Sequence, residues 1–208
     1  MDGSNGQRNE IFVTDKNGTV LNKWAVENYG NLSITEEGTI VLAVQASAKV
    51  VEYSHEGHLI QEVCLSEYKV QNLWHAIKLR SGNFVVSCNH KENRFTEASG
   101  EVSGEPGQPG IYVVDSTRAI LKEFSGLELS QPMYLDIDRN GAILVADCGR
   151  VSLLNSDLQF QRHIVQKNDG VEEPTAMCLS RPAGELFVAD NYIHNFRRCL
   201  AFRVSEIN

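Results

Sequence analysis

Apolar and polar positions alternate along this chain in short bursts, not at helical intervals. Four segments share one pattern: a short alternating stretch, a tight turn ending in glycine, and a more apolar stretch. They are residues 32–43 around Gly38, 75–87 around Gly82, 134–147 around Gly141 and 176–190 around Gly184. Each predicts a β-hairpin whose glycine supplies the positive φ that such loops require. A second kind of hairpin accompanies them, at residues 10–26, 49–63, 111–124 and 151–165, with turns such as Asn17-Gly18 and Glu56-Gly57. One hairpin of each kind makes four antiparallel strands. No segment longer than about ten residues keeps a 3.6-residue apolar period without a Gly, a Pro or a turn cluster. Residues 62–71 alone stay open to a helix.

The repeat glycines lie 44, 59 and 43 residues apart. Two of these spacings fit a four-stranded propeller blade of roughly 40–50 residues. The longer one contains residues 91–110, rich in Gly, Pro, Ser and Glu, which predicts an inserted loop. A lone sheet cannot bury both faces, whereas sheets packed radially bury each other. That explains the near-continuous apolar runs at 40–44, 84–86 and 142–146, which read as strands covered on both sides. The expected fold is all-β: a β-propeller of four-stranded antiparallel blades, four to five of them present, either closed as four blades by joining the N-terminal hairpin to the last one or left as a partial propeller, an open arc with exposed sheet edges. Residues 1–9 are expected to form a disordered tail and residues 10–208 the propeller domain.

Within the repeats, Leu144-Val-Ala-Asp147 and Leu186-Phe-Val-Ala-Asp-Asn191 look like the core of NHL repeats. Residues 71–86 and 131–141 resemble the propellers of tripartite-motif/NHL proteins of invertebrate animals. The resemblance covers roughly residues 10–204 and implies a propeller, often six-bladed, that serves as an interaction platform. In such relatives a RING finger, B-box and coiled coil precede the propeller. This chain shows no zinc-spaced cysteines and no heptad run, so ligase activity is not implied. An amidating-lyase relative uses metal-bound histidines; His55, His58, His75, His90, His163 and His194 show no matching arrangement.

Composition narrows the partners. The 208 residues carry a net charge of −8, which disfavours nucleic acid, whose binding rests on phosphate neutralisation. The longest aliphatic run is five residues, against the about 20 that a membrane span needs. The first residues lack a secretory pattern, so a cytoplasmic location is expected. The five cysteines include no CxxC pair, which predicts reduced thiols rather than a disulfide framework or zinc site.

Candidate chemistry is sparse. Asp136-Ile-Asp138-Arg-Asn140-Gly141 resembles the start of a calcium loop, but the apolar residues 142–146 would carry a last ligand away. A hairpin turn is the stronger reading. Asp147 and Asp190 share one repeat position and are expected to accept backbone N–H bonds from the loops that follow them. No G-x-S-x-G elbow or phosphate-cradling glycine motif occurs. We therefore expect no catalytic residue, metal or cofactor, and a non-enzymatic module that binds a protein or peptide through loops. The expected contact residues are His90, Lys91, Arg94 and Phe95 at the insert, the Gly149-Arg150 step after the third repeat, and Tyr192, His194 and Arg197 in the last. The alternatives are a propeller hydrolase or lyase with a metal in its channel, and an RNA-binding propeller.

Overall fold

The computed structural model describes residues 9–26, 30–66, 70, 72–89, 109–125, 129–180, 183–192 and 196–203, with the side chains of Tyr192, Phe196 and Arg197 excepted. It is all-β apart from two single-turn 3₁₀ segments, Gln45–Ser47 and Lys167–Asp169. An N-terminal hairpin pairs β1 (Asn9–Thr14) with β2 (Val20–Val26). The first sheet follows with β3 (Gly30–Ile34), β4 (Ile40–Val44), β5 (Lys49–Tyr53) and β6 (Leu59–Cys64). The second holds β7 (Leu73–Lys78), β8 (Phe84–Cys88), β9 (Gly110–Val114) and β10 (Ile120–Phe124). The third holds β11 (Tyr134–Ile137), β12 (Ile143–Asp147), β13 (Arg150–Leu154) and β14 (Phe160–Val165). The fourth has three strands, β15 (Pro174–Ser180), β16 (Glu185–Tyr192) and β17 (Phe196–Arg203). Every sheet is an antiparallel meander in chain order. The chain is therefore a β-propeller built as the repeats predict, with four blades following one another around an axis. The segment left open at 62–71 continues β6 as far as Cys64.

Each apolar run serves two interfaces. On β4, Val41 and Ala43 pack toward the second sheet, while Ile40, Leu42 and Val44 pack toward the N-terminal hairpin. On β8, Phe84, Val86 and Cys88 face the first sheet and Val85 the third. On β12, Ile143 and Val145 face the second sheet and Leu144 the fourth. All residues of these three strands are buried, as period-2 side chains covered on both faces must be. Full burial of each Val, Leu, Ile or Phe among them is worth roughly 1.5–3 kcal/mol. The sequence can leave no polar residue in these runs without a partner; Ser87 meets the condition by donating to Met133 O.

Turn chemistry repeats with the strands. Asp15, Ser54, Asp115, Asp138 and Asn155 each accept N–H bonds from the residues two and four positions on. The residue three positions on has positive φ. It is glycine at Gly18, Gly57 and Gly141, but Arg118 and Leu158 in the other two turns. The Asp138–Gly141 stretch is thus a hairpin turn, as expected.

The arc is open. Among the described residues, no strand of the N-terminal hairpin pairs with the fourth sheet. Phe187, on the far face of β16, is 37% exposed.

Candidate functional site

The site is built from the innermost strands, β3, β7, β11 and β15. Each leaves one edge without a strand partner, so its backbone groups must be satisfied by side chains or water. Side chains of neighbouring blades do this. Asn31 Nδ2 donates to Trp74 O at 2.7 Å and Ser33 Oγ to Ala76 O at 2.7 Å. Leu179 N donates to Asp136 Oδ2 at 2.7 Å. His75 joins three blades: its Nε2 donates to Leu32 O, and its Nδ1 accepts from Leu135 N, each at 3.2 Å. Those partners fix the neutral Nε2–H tautomer. Burial pushes the His75 pKa down to about 4, against the opposing bond to Leu32. The Tyr134 ring lies 5.2 Å from the imidazole, and its hydroxyl reaches across to Asn31 Oδ1 at 3.3 Å. Burial raises the Tyr134 pKa, so the phenol stays protonated as a donor. These bonds tie the first, second and third sheets together at one level of the axis.

Beyond it the axis widens into a cavity of about 1030 Å³. The walls are the ends of the inner strands and the turns that follow them: residues 32–38, 77–81, 134–138 and 176–180, with Ile11–Thr14 of β1. Apolar side chains predominate. Phe12 is 53% exposed, Leu32 47% and Ile34 74%. Carboxylates stand at the mouth: Glu36 holds Arg80 through paired contacts of 2.9 and 3.0 Å, with Glu37 beside it. The adjoining Lys78 bridges both oxygens of Glu52 at 2.9 Å. Glu52 is fully buried. Desolvation pushes its carboxyl up, but bonds from Thr39, Gln61 and Lys78 outweigh that and hold it below the ordinary value. The sequence reading missed this pair because a charged residue in an alternating strand looks solvent-facing.

The loop-side carboxylates are structural, with one correction. Asp147 accepts from Ser130 N and Gln131 N, and Asp190 from Glu172 N and Glu173 N. These amides lie in the loop that precedes the blade, not in the loop after the aspartate. Each aspartate therefore anchors the chain as it enters its own sheet. Arg150 answers Asp147 at 2.8 Å, and Arg198 answers Asp190 at 3.0 Å. Arg150, expected as a contact residue, is therefore occupied inside its own blade. His90, Lys91, Arg94, Phe95, nearly all of the insert, and His194 lie outside the described residues, as do the side chains of Tyr192 and Arg197. The flanks of the insert, Asn89 and Gly110, join β8 to β9 and do not border the cavity, which lies at the opposite ends of the strands. Among the described residues, no group of three His, Cys, Asp or Glu side chains is placed to hold a metal. Among the same residues, no helix is long and apolar enough to cross a membrane.

Architecture and site together define a β-propeller with an apolar axial cavity. No protein-family model matches the chain, and no curated protein matches it in sequence. Solved structures do match in fold. A Bacteroides caccae protein of unknown function aligns with TM-score 0.52 at 15% identity, over 77% of this chain and 60% of that one. A streptogramin B lyase aligns with TM-score 0.51 at 14% identity, over 84% and 53%. The extracellular domain of a candidate hybrid two-component system from B. thetaiotaomicron aligns with TM-score 0.50 at 9% identity, over 85% and 23%. At such identities the likeness is one of fold alone. The chain spans about a quarter to three fifths of the length of these proteins.

Proposed function

We propose that this protein is a non-enzymatic interaction module that takes a protein or peptide segment into the axial cavity. The observation that carries the reading is the apolar wall formed by Phe12, Leu32 and Ile34, left open to solvent on an otherwise packed scaffold. Pockets of several hundred Å³ with apolar walls and a few polar groups are the usual form of binding sites. Exposed contiguous apolar surface marks interaction sites in soluble proteins. The ionisable groups nearest the axis support the same reading. His75 is locked neutral by two backbone partners, and Glu52 and Asp136 hold structural bonds. We further propose a place near the NHL-type propellers, supported by the shared role of Asp147 and Asp190, and a reducing compartment, read from the odd number and the spacing of the five cysteines.

Panning a random peptide display library against the protein tests this. Enriched peptides should lose about tenfold or more in affinity with Ile34→Asp and keep it in a form lacking residues 91–110. Peptides indifferent to Ile34→Asp, or no enrichment at all, would reject the cavity as the binding site.

A further inference from the structure

Resting on the cavity as a binding site, the repeats themselves indicate what shape of ligand fits it. The N-terminal hairpin corresponds to the outer half of a blade. Its second strand lies against the outer end of the first sheet: the Trp24 ring covers Gly57 and stands 6.1 Å from the Tyr53 ring, and Asn22 Nδ2 donates to His55 O, so β1 and β2 take the places of a third and a fourth strand. In the complete sheets the third strand, β5, β9 or β13, pairs on its other edge with β4, β8 or β12. Its counterpart β1 pairs with β2 alone among the described residues. It is β1, not β2, that borders the cavity, through Ile11 to Thr14.

The facing wall points the same way. Leu32, Ala76 and Leu135 each stand six residues before the repeat glycine on an inner strand. Ala76 is buried against the first sheet and Leu135 against the second, at 0% and 3% exposure. Leu32 is 47% exposed. Leu32 lies opposite Leu42 and Ile34 opposite Ile40, on the face whose outer part the N-terminal hairpin covers. The inner part of that face is what remains open. A strand edge with no strand partner among the described residues and an apolar inner face therefore border the same side of the cavity. Together they are complementary to two strands, the first lying along the β3 face and the second hydrogen-bonded to β1.

We propose that this corner binds a two-stranded β-hairpin of a partner polypeptide by strand addition to β1. Main-chain hydrogen bonds to the free edge would supply affinity, and alternate apolar side chains against Leu32 and Ile34 would supply specificity. The carboxylate of Glu37 at the mouth, beside the Glu36–Arg80 pair, favours a basic hairpin turn. Within the chain the same relation already exists one blade on, where Arg80 of the β7–β8 turn sits on Glu36.

The probe is a synthetic peptide with the sequence of residues 73–88 carrying Cys88→Ser, whose Lys78 and Arg80 make its turn basic. Fluorescence anisotropy of the labelled peptide gives affinity, and hydrogen exchange of the complex locates it. The expected result is saturable binding that weakens as salt rises, with slowed exchange at the amides of residues 10–14. Ile34→Asp should weaken it about tenfold or more, and a scrambled peptide should not bind. Far-UV circular dichroism of the variant checks that the fold is kept; should it not be, Leu32→Ser replaces it. Binding that leaves the β1 amides unprotected would overturn strand addition while leaving the cavity as a peptide site. Absence of binding by the probe, or protection of β1 by self-association of the protein without peptide, would overturn the hairpin partner.

Discussion

The two ends of the propeller axis are made from the same four strands and behave oppositely. Toward the start of the inner strands, Asn31, His75 and Tyr134 spend their polar atoms on neighbouring backbones and on one another, and three sheets are tied together. Toward their ends, Leu32 and Ile34 stand where a preceding blade would cover them, and the axis opens. The difference teaches that polar bonds between blades do not by themselves fill the axis: Ser33 and Asp136 carry such bonds into the cavity wall as well. What the open end lacks is an apolar sheet over Leu32 and Ile34, whereas β4, β8 and β12 are covered along their whole height.

Three substitutions or conditions sharpen that contrast. The largest effect is expected from Lys78→Met. It leaves the Glu52 carboxylate buried without its cation, and breaking a buried pair on one side costs about 3 kcal/mol or more. A urea titration should show a midpoint shifted accordingly. The second effect is one of pH. Unfolded His75 gains a proton near pH 6.5 and folded His75 only near 4, so the folded state is favoured fully above 6.5. Stability should fall as pH drops from 6.5 toward 4, by about 3 kcal/mol over the window. Glu52, held low, adds its own loss once pH falls through the ordinary glutamate value of 4.5. In His75→Gln the slope between pH 6.5 and 4 should flatten, measured by denaturation at a series of pH values. The smallest effect belongs to the open end. Gly141→Val places a β-branched residue at φ +84°, but its Cβ meets nothing within 4 Å. The cost is then backbone strain alone, about 2 kcal/mol, read as a lowered melting temperature. A larger loss would mean the turn at the mouth is packed more tightly than its geometry indicates.

Much of this was legible in the residues. The glycine-centred hairpins predicted β3–β4, β7–β8, β11–β12 and β15–β16, because turn chemistry and period-2 burial are local. The fully apolar runs predicted that both faces of β4, β8 and β12 are covered. Four features escaped, the buried Lys78–Glu52 pair among them. The hairpins at 111–124 and 151–165 were predicted, but the positive φ at Arg118 and Leu158 was not, because the glycine that usually signals it is absent. Leu158 is held there by burial in the core between the second and third sheets. The loops bound by Asp147 and Asp190 lie on the other side in sequence, since meander sheets bring the preceding loop, not the following one, beside the end of the second strand. The cavity had no signal at all. Leu32 and Ile34 carry the same alternation as the buried Leu135, and only the absence of a neighbouring inner strand distinguishes them. The polar residues Asn31, Ser33, His75 and Asp136 on otherwise apolar inner strands were a usable sign of blade-to-blade bonds.

The single imidazole of His75 has a consequence for how the molecule comes apart. Repeat proteins lose their units piecemeal when each unit is tied only to its neighbour by a weak interface. Here one ring touches the first, second and third sheets at once, so releasing any one of them exposes a hydrogen-bonding atom that belongs to the other two. Those three sheets should therefore melt as a single cooperative block. The fourth, tied along the axis through Asp136 to Leu179 N, forms a separate unit able to open first.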